Sequence, residues 1–97
     1  MPHLIIEPEA EADIASAYDW YERQRAGLGD DFELCLEAGL QSIEQRPKIY
    51  QKIYRSVRRA MIQRFPYLVF FVERPKEVIV IAVLHVRQSP ETWQKRL

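Results

Sequence analysis

Cysteine, histidine and long apolar runs are all scarce in this sequence, and each shortage excludes a class of protein. Cys35 is the one cysteine, so an internal disulfide is impossible and a reducing cytoplasm is the expected compartment. His3 and His85 lack the spacing of a zinc site, and we expect neither a metal nor a cofactor. The charged segment Glu73–Glu77 divides the most apolar region into runs far shorter than the roughly 20 residues that span a bilayer. We therefore predict no transmembrane helix, and the N-terminus shows no secretory signal pattern.

Net charge is also lacking, but only in the sum over the whole chain. Fourteen basic and fourteen acidic side chains give a formal charge of zero. Residues 1–50 hold eleven of the carboxylates and four cations, whereas residues 51–97 hold ten cations and three carboxylates. The two halves therefore carry formal charges of −7 and +7. A basic surface on the second half is predicted to engage the partners of this protein.

Two helices are predicted in the acidic half, after a short first strand over His3–Glu7. Pro8 ends the strand and is acceptable in a first helical turn. Apolar residues then recur with the spacing of an amphipathic helix, at Ala10, Ile14, Ala17, Tyr18 and Tyr21. Gly27 and Gly29 interrupt this helix, and Asp30 or Asp31 is the expected cap of the next one. The second helix continues to Pro47 with one apolar face, at Phe32, Cys35, Leu36, Leu40 and Ile43.

The basic half is predicted to form strands, because its segments are dense in Val, Ile and Phe. The predicted strands are Ile53–Val57, Arg59–Arg64, Tyr67–Val72 and Val78–Val86. The last three form an antiparallel meander, and Pro90–Leu97 is a tail or single helical turn anchored by Trp93. The expected fold class is α+β, in which a short N-terminal strand and a two-helix hairpin pack on one face of a mostly antiparallel sheet. A chain of 97 residues is expected to form a single domain over residues 1–97.

This predicted sheet is apolar on both faces. Successive residues of a strand point to opposite sides, so Leu68, Phe70 and Val72 share one face while Tyr67, Val69 and Phe71 share the other. One helical hairpin can cover only one of these faces. The tail with Trp93 is expected to supply part of the cover for the other face, but a partner polypeptide is the stronger candidate, since monomers seldom leave large apolar patches in water.

Several short motifs in this order and spacing resemble the RelE/ParE superfamily of bacterial toxins over nearly the whole chain. They are Trp20-Tyr21, Gly27–Phe32, Arg58-Arg59, Phe65-Pro66-Tyr67 and the run Ala82–Pro90. The resemblance implies a toxin of a type II toxin–antitoxin module, which arrests bacterial growth and is held in a hetero-oligomer by a cognate antitoxin. It also implies one of two targets, either DNA gyrase or the ribosome with its messenger RNA.

The choice between the two targets depends on a few residues. Cleavage of RNA needs proton transfer and cations at phosphorus. The candidate catalytic residues are His85 and Arg87, which are two positions apart and would share one face of a regular strand. RNA-cleaving relatives carry an Arg where this chain has Tyr67, and a Tyr where the nearest aromatic residue is Trp93. We therefore favour ParE-like inhibition of gyrase, with ribosome-dependent cleavage of mRNA as the alternative. The predicted target-binding residues are Arg58, Arg59, Arg64, Tyr67 and Trp93.

Simpler roles compete with these assignments. His85 can merely end a buried strand with its ring hydrogen-bonded, and Arg58 and Arg59 can pair with the acidic helices. Tyr18 and Tyr21 are expected to pack in the core, because they belong to the apolar stripe of the first helix, whereas Trp20 lies off this stripe. A third hypothesis is a non-toxic binding module whose basic half engages an acidic protein.

Overall fold

The computed structural model describes residues 3–97 and consists of a five-stranded sheet with two long helices. The strands are β1 (His3–Ile6), β2 (Lys52–Tyr54), β3 (Val57–Met61), β4 (Tyr67–Glu73) and β5 (Glu77–His85). The helices are α1 (Pro8–Gln24), α2 (Leu28–Gln45) and the single turn α3 (Glu91–Gln94), with a 3-10 turn at Pro47–Ile49. Within the described residues, no helix is long and apolar enough to cross a bilayer.

The strands lie in the order β1-β5-β4-β3-β2. β1 runs parallel to β5, with Leu4 opposite Val78, and each of the other neighbouring pairs is antiparallel. The predicted α+β class, the short first strand and the terminal meander are therefore confirmed.

The turn between α1 and α2 is built around Glu22. Its carboxylate accepts hydrogen bonds from the backbone N–H groups of Gly27 (3.0 Å) and Gly29 (2.9 Å). These are N–H groups that the start of a helix leaves without an intrahelical partner. Gly27 has φ +89°, a left-handed conformation that favours glycine. The expectation that Asp30 or Asp31 caps α2 is wrong, because the helix begins earlier and both carboxylates lie in its first turn.

Both helices pack on one face of the sheet, which we call the helix-covered face. Aromatic rings fill one end of this interface: Tyr21 contacts Phe32, Phe65 and Tyr67 at ring-centroid distances of 5.4, 4.8 and 6.0 Å. Edge and stacked ring contacts of this kind stabilise a core beyond simple area burial. The fully buried residues on this face include Ala10, Phe32, Ile43, Val69, Phe71, Val78 and Val80.

The opposite side, which we call the second face, is covered at its centre by the chain itself. Trp93 of α3 is 5% exposed and stacks on Phe70 with ring centroids 5.2 Å apart. A bulge in β5 adds Ile81 between the residues that face Phe70 and Phe71, and places both Ile81 and Ala82 in this second cluster. The expectation that a partner must cover this face is therefore wrong for its centre, where the tail already excludes water.

Candidate target-binding site

A surface pocket of about 490 Å³ lies where β4 begins and β5 ends. Tyr67 and His85 stand opposite each other in the sheet register, with ring centroids 5.4 Å apart. The remaining wall comes from α1 and from the turns next to the two strands. We call this site the aromatic pocket, and its lining residues are Trp20, Tyr21, Pro66, Tyr67, His85 and Gln88.

Trp20 and Tyr21 differ in role although they are neighbours in sequence. Consecutive residues of a helix point about 100° apart, so Tyr21 enters the core at 8% exposure while Trp20 stays 54% exposed. The two rings meet edge to face at 5.1 Å, which holds the indole as a wall of the aromatic pocket. Trp20 and Gln88 line the pocket but are not among the target-binding residues predicted from the sequence. The position of Trp20 off the apolar stripe of α1 is a sequence signal that points to it.

Hydrogen bonds fix the ring of His85 within the turn that follows β5. Its Nδ1 atom accepts the backbone N–H of Arg87 (3.1 Å). In the neutral ring the proton is then on Nε2, which is a donor. The backbone N–H of His85 donates to the side-chain carbonyl of Gln88 (2.8 Å), and the backbone N–H of Gln88 donates to the His85 carbonyl (2.9 Å).

Two phenols line the aromatic pocket beside this imidazole. Burial, and then the negative charge of Asp13, raises the pKa of Tyr67 above its usual range. Burial, and then the neighbouring Tyr67, raises the pKa of Tyr21. Both hydroxyl groups therefore stay protonated at neutral pH and can donate hydrogen bonds. With the Nε2–H of His85, the pocket offers aromatic walls and several donors, a combination that suits an apolar anchor with an acceptor group.

Arg64 lies two positions before Pro66 of the pocket, and its side chain turns toward α2. It adopts a left-handed φ of 70°, and its guanidinium lies 5.6 Å from the centre of the Phe65 ring. It also approaches Asp31 at 3.8 Å while its side chain remains 62% exposed. Such an exposed pair contributes about 1 kcal/mol or less, so Arg64 is free to reach a partner.

Three other predicted residues lie away from the aromatic pocket. Arg58 is largely buried, donates to the backbone carbonyl of Tyr50 (2.6 Å) and pairs with Glu73 (3.5 Å), so its partner is a strand carboxylate instead of an acidic helix. Arg59 is exposed on β3, in register with Phe70 of the second face. Trp93 belongs to the core of that face, which corrects its assignment to a binding surface.

Arg87 does not share a strand face with His85. β5 ends at His85, and the chain turns immediately, closed by the hydrogen bond from the Gln88 N–H. The alignment expected for a regular strand is therefore wrong. What Arg87 supplies directly to His85 is its backbone N–H.

Comparison with known proteins agrees with this architecture. The family model described as "ParE toxin of type II toxin-antitoxin system, parDE" matches residues 4–90. The chain belongs to this ParE toxin family. It is thus the toxin component of a type II toxin–antitoxin system, and the match ends just before α3.

A solved structure supports the fold independently. A chain of the "Chromosomal ParDE TA system from P. aeruginosa" superposes with a TM-score of 0.78 at 18% sequence identity, covering 88% of this chain and 96% of that chain. At this identity the likeness concerns the fold. No curated protein sequence matches the chain significantly.

Proposed function

We propose that this ParE-family toxin arrests growth by binding DNA gyrase in the cytoplasm without covalent chemistry, and that a cognate antitoxin neutralises it. Membership of the ParE family carries this proposal. The aromatic pocket is the proposed contact with gyrase, with Trp20 as an exposed aromatic anchor and His85 as a donor. Large aromatic side chains of this kind dominate the energetics of many protein interfaces.

The distribution of the basic side chains supports binding over catalysis. Cleavage of RNA requires a base, an acid and cations close to the same phosphate. Arg58 is engaged with Glu73 and Tyr50, and the Arg87 side chain is off the strand face of His85. Burial raises the pKa of Tyr67, beside His85, so its hydroxyl serves as a hydrogen-bond donor and releases its proton less readily than an ordinary tyrosine does.

The experiment is a gyrase supercoiling assay with purified toxin. Wild-type protein is expected to inhibit supercoiling, and Trp20→Ala to require at least tenfold more toxin for the same inhibition. Leu97→Ala is the matched control, because Leu97 is 53% exposed, close to the 54% of Trp20, but does not line the pocket. Gyrase would be rejected as the target if a large excess of toxin left supercoiling unchanged while the same toxin stopped translation in a cell lysate.

Ribosome-dependent cleavage of mRNA is a second candidate, favoured by one contact. His85 and Tyr67 are two proton-transfer groups with ring centroids 5.4 Å apart. If they act on RNA, primer extension after induction should show new 5′ ends that disappear in His85→Ala and in Tyr67→Phe. Cleavage that persists in both variants would remove this candidate.

A further inference from the structure

Two copies of one tripeptide meet at the end of the sheet where β4 turns into β5. Arg46-Pro47-Lys48 follows α2, and Arg74-Pro75-Lys76 connects β4 to β5. Residues of both tripeptides line one surface depression of about 370 Å³. We call this surface the basic end, and its four cations, all of them exposed, are Arg46, Lys48, Arg74 and Lys76.

Hydrogen-bonded turns hold both tripeptides in place. Arg74 and Glu77 exchange backbone hydrogen bonds across the hairpin turn, with N–O distances of 2.7 and 3.4 Å. The carbonyl of Arg46 accepts the N–H of Ile49 (3.3 Å) in the 3-10 turn. The proline at the centre of each tripeptide also has a fixed φ. The backbone that carries these cations is therefore preorganised, and it loses little conformational entropy when a ligand binds.

Most of the positive charge of the basic end is not neutralised by a carboxylate. Glu73 lines the depression, but it pairs with the largely buried Arg58 at 3.5 Å. Its contact with Lys48 is longer, at 3.9 Å, and contributes little because the Lys48 side chain is 80% exposed. Within residues 3–97, the other three cations of the basic end form no ion pair. The surface therefore attracts a ligand with several negative charges.

The basic end and the aromatic pocket lie at opposite ends of β4. Tyr67 begins this strand and lines the aromatic pocket, whereas Glu73 ends the strand and lines the basic depression. A strand rises about 3.3 Å per residue, so the two sites are about 20 Å apart along β4. A protein bound at the aromatic pocket therefore leaves the basic end open to a second ligand.

We propose that the basic end binds the phosphate backbone of duplex DNA while the aromatic pocket contacts gyrase. The inference rests on the proposed function, in that gyrase holds the duplex beside the toxin. The guanidinium groups of Arg46 and Arg74 pair with phosphates at two points, and the ammonium groups of Lys48 and Lys76 act as point charges. Because the contacts are to phosphates, binding is independent of the base sequence.

Charge density favours DNA over an acidic polypeptide as the ligand of the basic end. Duplex DNA carries one negative charge per about 1.7 Å of its axis. An extended peptide advances about 3.3–3.6 Å per residue, so even an unbroken run of carboxylates has about half this density. Cations that are gathered around one depression therefore meet more charge on a duplex.

DNA binding by purified toxin, without gyrase, tests the surface. Fluorescence anisotropy is measured with a labelled duplex of about 20 base pairs in about 50 mM salt, where phosphate contacts are strong. The double variants Arg46→Gln/Lys48→Gln and Arg74→Gln/Lys76→Gln should each bind at least tenfold more weakly than wild type. All four side chains are exposed, so thermal melting of both variants should match that of wild type.

The matched control removes the same charge from elsewhere on the surface. Arg23→Gln/Lys95→Gln replaces one exposed Arg on α1 and one exposed Lys next to α3, and it should bind within about threefold of wild type. Undetectable DNA binding by wild-type toxin would overturn the proposal. So would a loss of affinity in this control as large as the loss in the two basic-end variants.

Salt dependence measures how many phosphates the toxin contacts. The logarithm of the binding constant should fall with the logarithm of salt concentration at a slope of about −3 to −4, since each of four phosphates contributes about −0.9. Each basic-end variant should reduce the magnitude of this slope by about 2, whereas the control leaves it unchanged. A slope that is the same in wild type and in both basic-end variants would contradict the phosphate contacts.

Competition identifies the class of ligand. A poly-glutamate peptide with the same total charge as the duplex should displace the labelled DNA at least tenfold less effectively than unlabelled duplex. Equal displacement would assign the basic end to an acidic polypeptide and overturn the assignment to DNA. These measurements contain no gyrase, so failure of the DNA proposal is distinguished from failure of the gyrase proposal, which the supercoiling assay reports.

Discussion

Asp13 and Arg96, 83 positions apart, form a two-point ion pair with N–O distances of 2.6 and 3.1 Å. Asp13 also accepts the Val83 N–H (3.0 Å), and Arg96 donates to the Ile81 carbonyl (3.0 Å). The pairing of β1 with β5 ends at Val80. Beyond this residue β1 no longer pairs with β5, and the contacts of Asp13 and Arg96 satisfy the backbone groups of β5 instead. The same pair holds the tail in place, which positions Trp93 over the second face.

Replacing Asp13 with Asn should destabilise the fold strongly. The Arg96 side chain is only 17% exposed, and losing its charge partner leaves a largely buried cation uncompensated. The expected loss is about 3 kcal/mol in the free energy of unfolding, measured by urea denaturation. Glu9→Gln is the control, since Glu9 is 64% exposed and lies 3.9 Å from Arg96, and it should cost less than about 1 kcal/mol. Equal effects of the two substitutions would contradict the assigned role of Asp13.

The two tryptophans should respond differently to the same substitution. Trp93→Ala removes a ring that is 5% exposed and opens a cavity against Phe70, at an expected cost of about 3–5 kcal/mol. Trp20→Ala removes a ring that is 54% exposed and should cost about 1 kcal/mol or less. Thermal and urea unfolding measure the loss of stability in each variant. A Trp93→Ala protein as stable as Trp20→Ala would show that the tail does not seal the second face.

The hydroxyl of Tyr18 should titrate at unusually high pH. It donates to Asp30 at 2.6 Å, and this hydrogen bond, with smaller contributions from desolvation and nearby carboxylates, raises the pKa of Tyr18 to about 12. Carbon-13 NMR of labelled tyrosine rings should find this midpoint, and Asp30→Asn should lower it toward the ordinary value near 10.

The sign of the linked stability change follows from the raised pKa. The Tyr18–Asp30 contact contributes fully below pH 10, the ordinary tyrosine pKa, and its contribution is lost as pH rises through about 12. Stability of wild-type protein should therefore fall toward that of Tyr18→Phe between these pH values. A pH-independent difference between the two proteins would contradict the assigned hydrogen bond.

Gly29→Ala should cost more than Gly27→Ala, although Gly27 has the unusual backbone angle. A Cβ at Gly29 would lie 2.9 Å from both the Tyr18 carbonyl oxygen and the Glu22 carboxylate, so the helices must separate, at an expected cost of about 1–3 kcal/mol. A Cβ at Gly27 meets nothing within 4 Å, and the left-handed angle alone should cost about 1 kcal/mol. Urea denaturation measures the free energy of unfolding of both variants. A smaller loss of this free energy in Gly29→Ala than in Gly27→Ala would contradict the close contact between the helices.

Much of the fold was predictable because its signals are local. The 3.6-residue period of Ala10, Ala17 and Tyr21 predicts α1, and the dense Val, Ile and Phe of residues 67–86 predict the last hairpin. The candidate site was only partly predictable. Tyr67 and His85 were named from motifs and do meet, whereas Arg87 was misplaced because a turn at the end of β5 has no strong signal in the sequence.

The sequence by itself determined the helices, the strands and the toxin family, because periodicity and short motifs depend on neighbouring residues. Only the tertiary structure decided which charges are neutralised and which aromatic rings are buried. It paired Arg96 with Asp13, engaged Arg58 with Glu73, buried Trp93 and left Trp20 exposed. These outcomes depend on contacts between distant residues, since burial and pairing follow from which parts of the chain exclude water together.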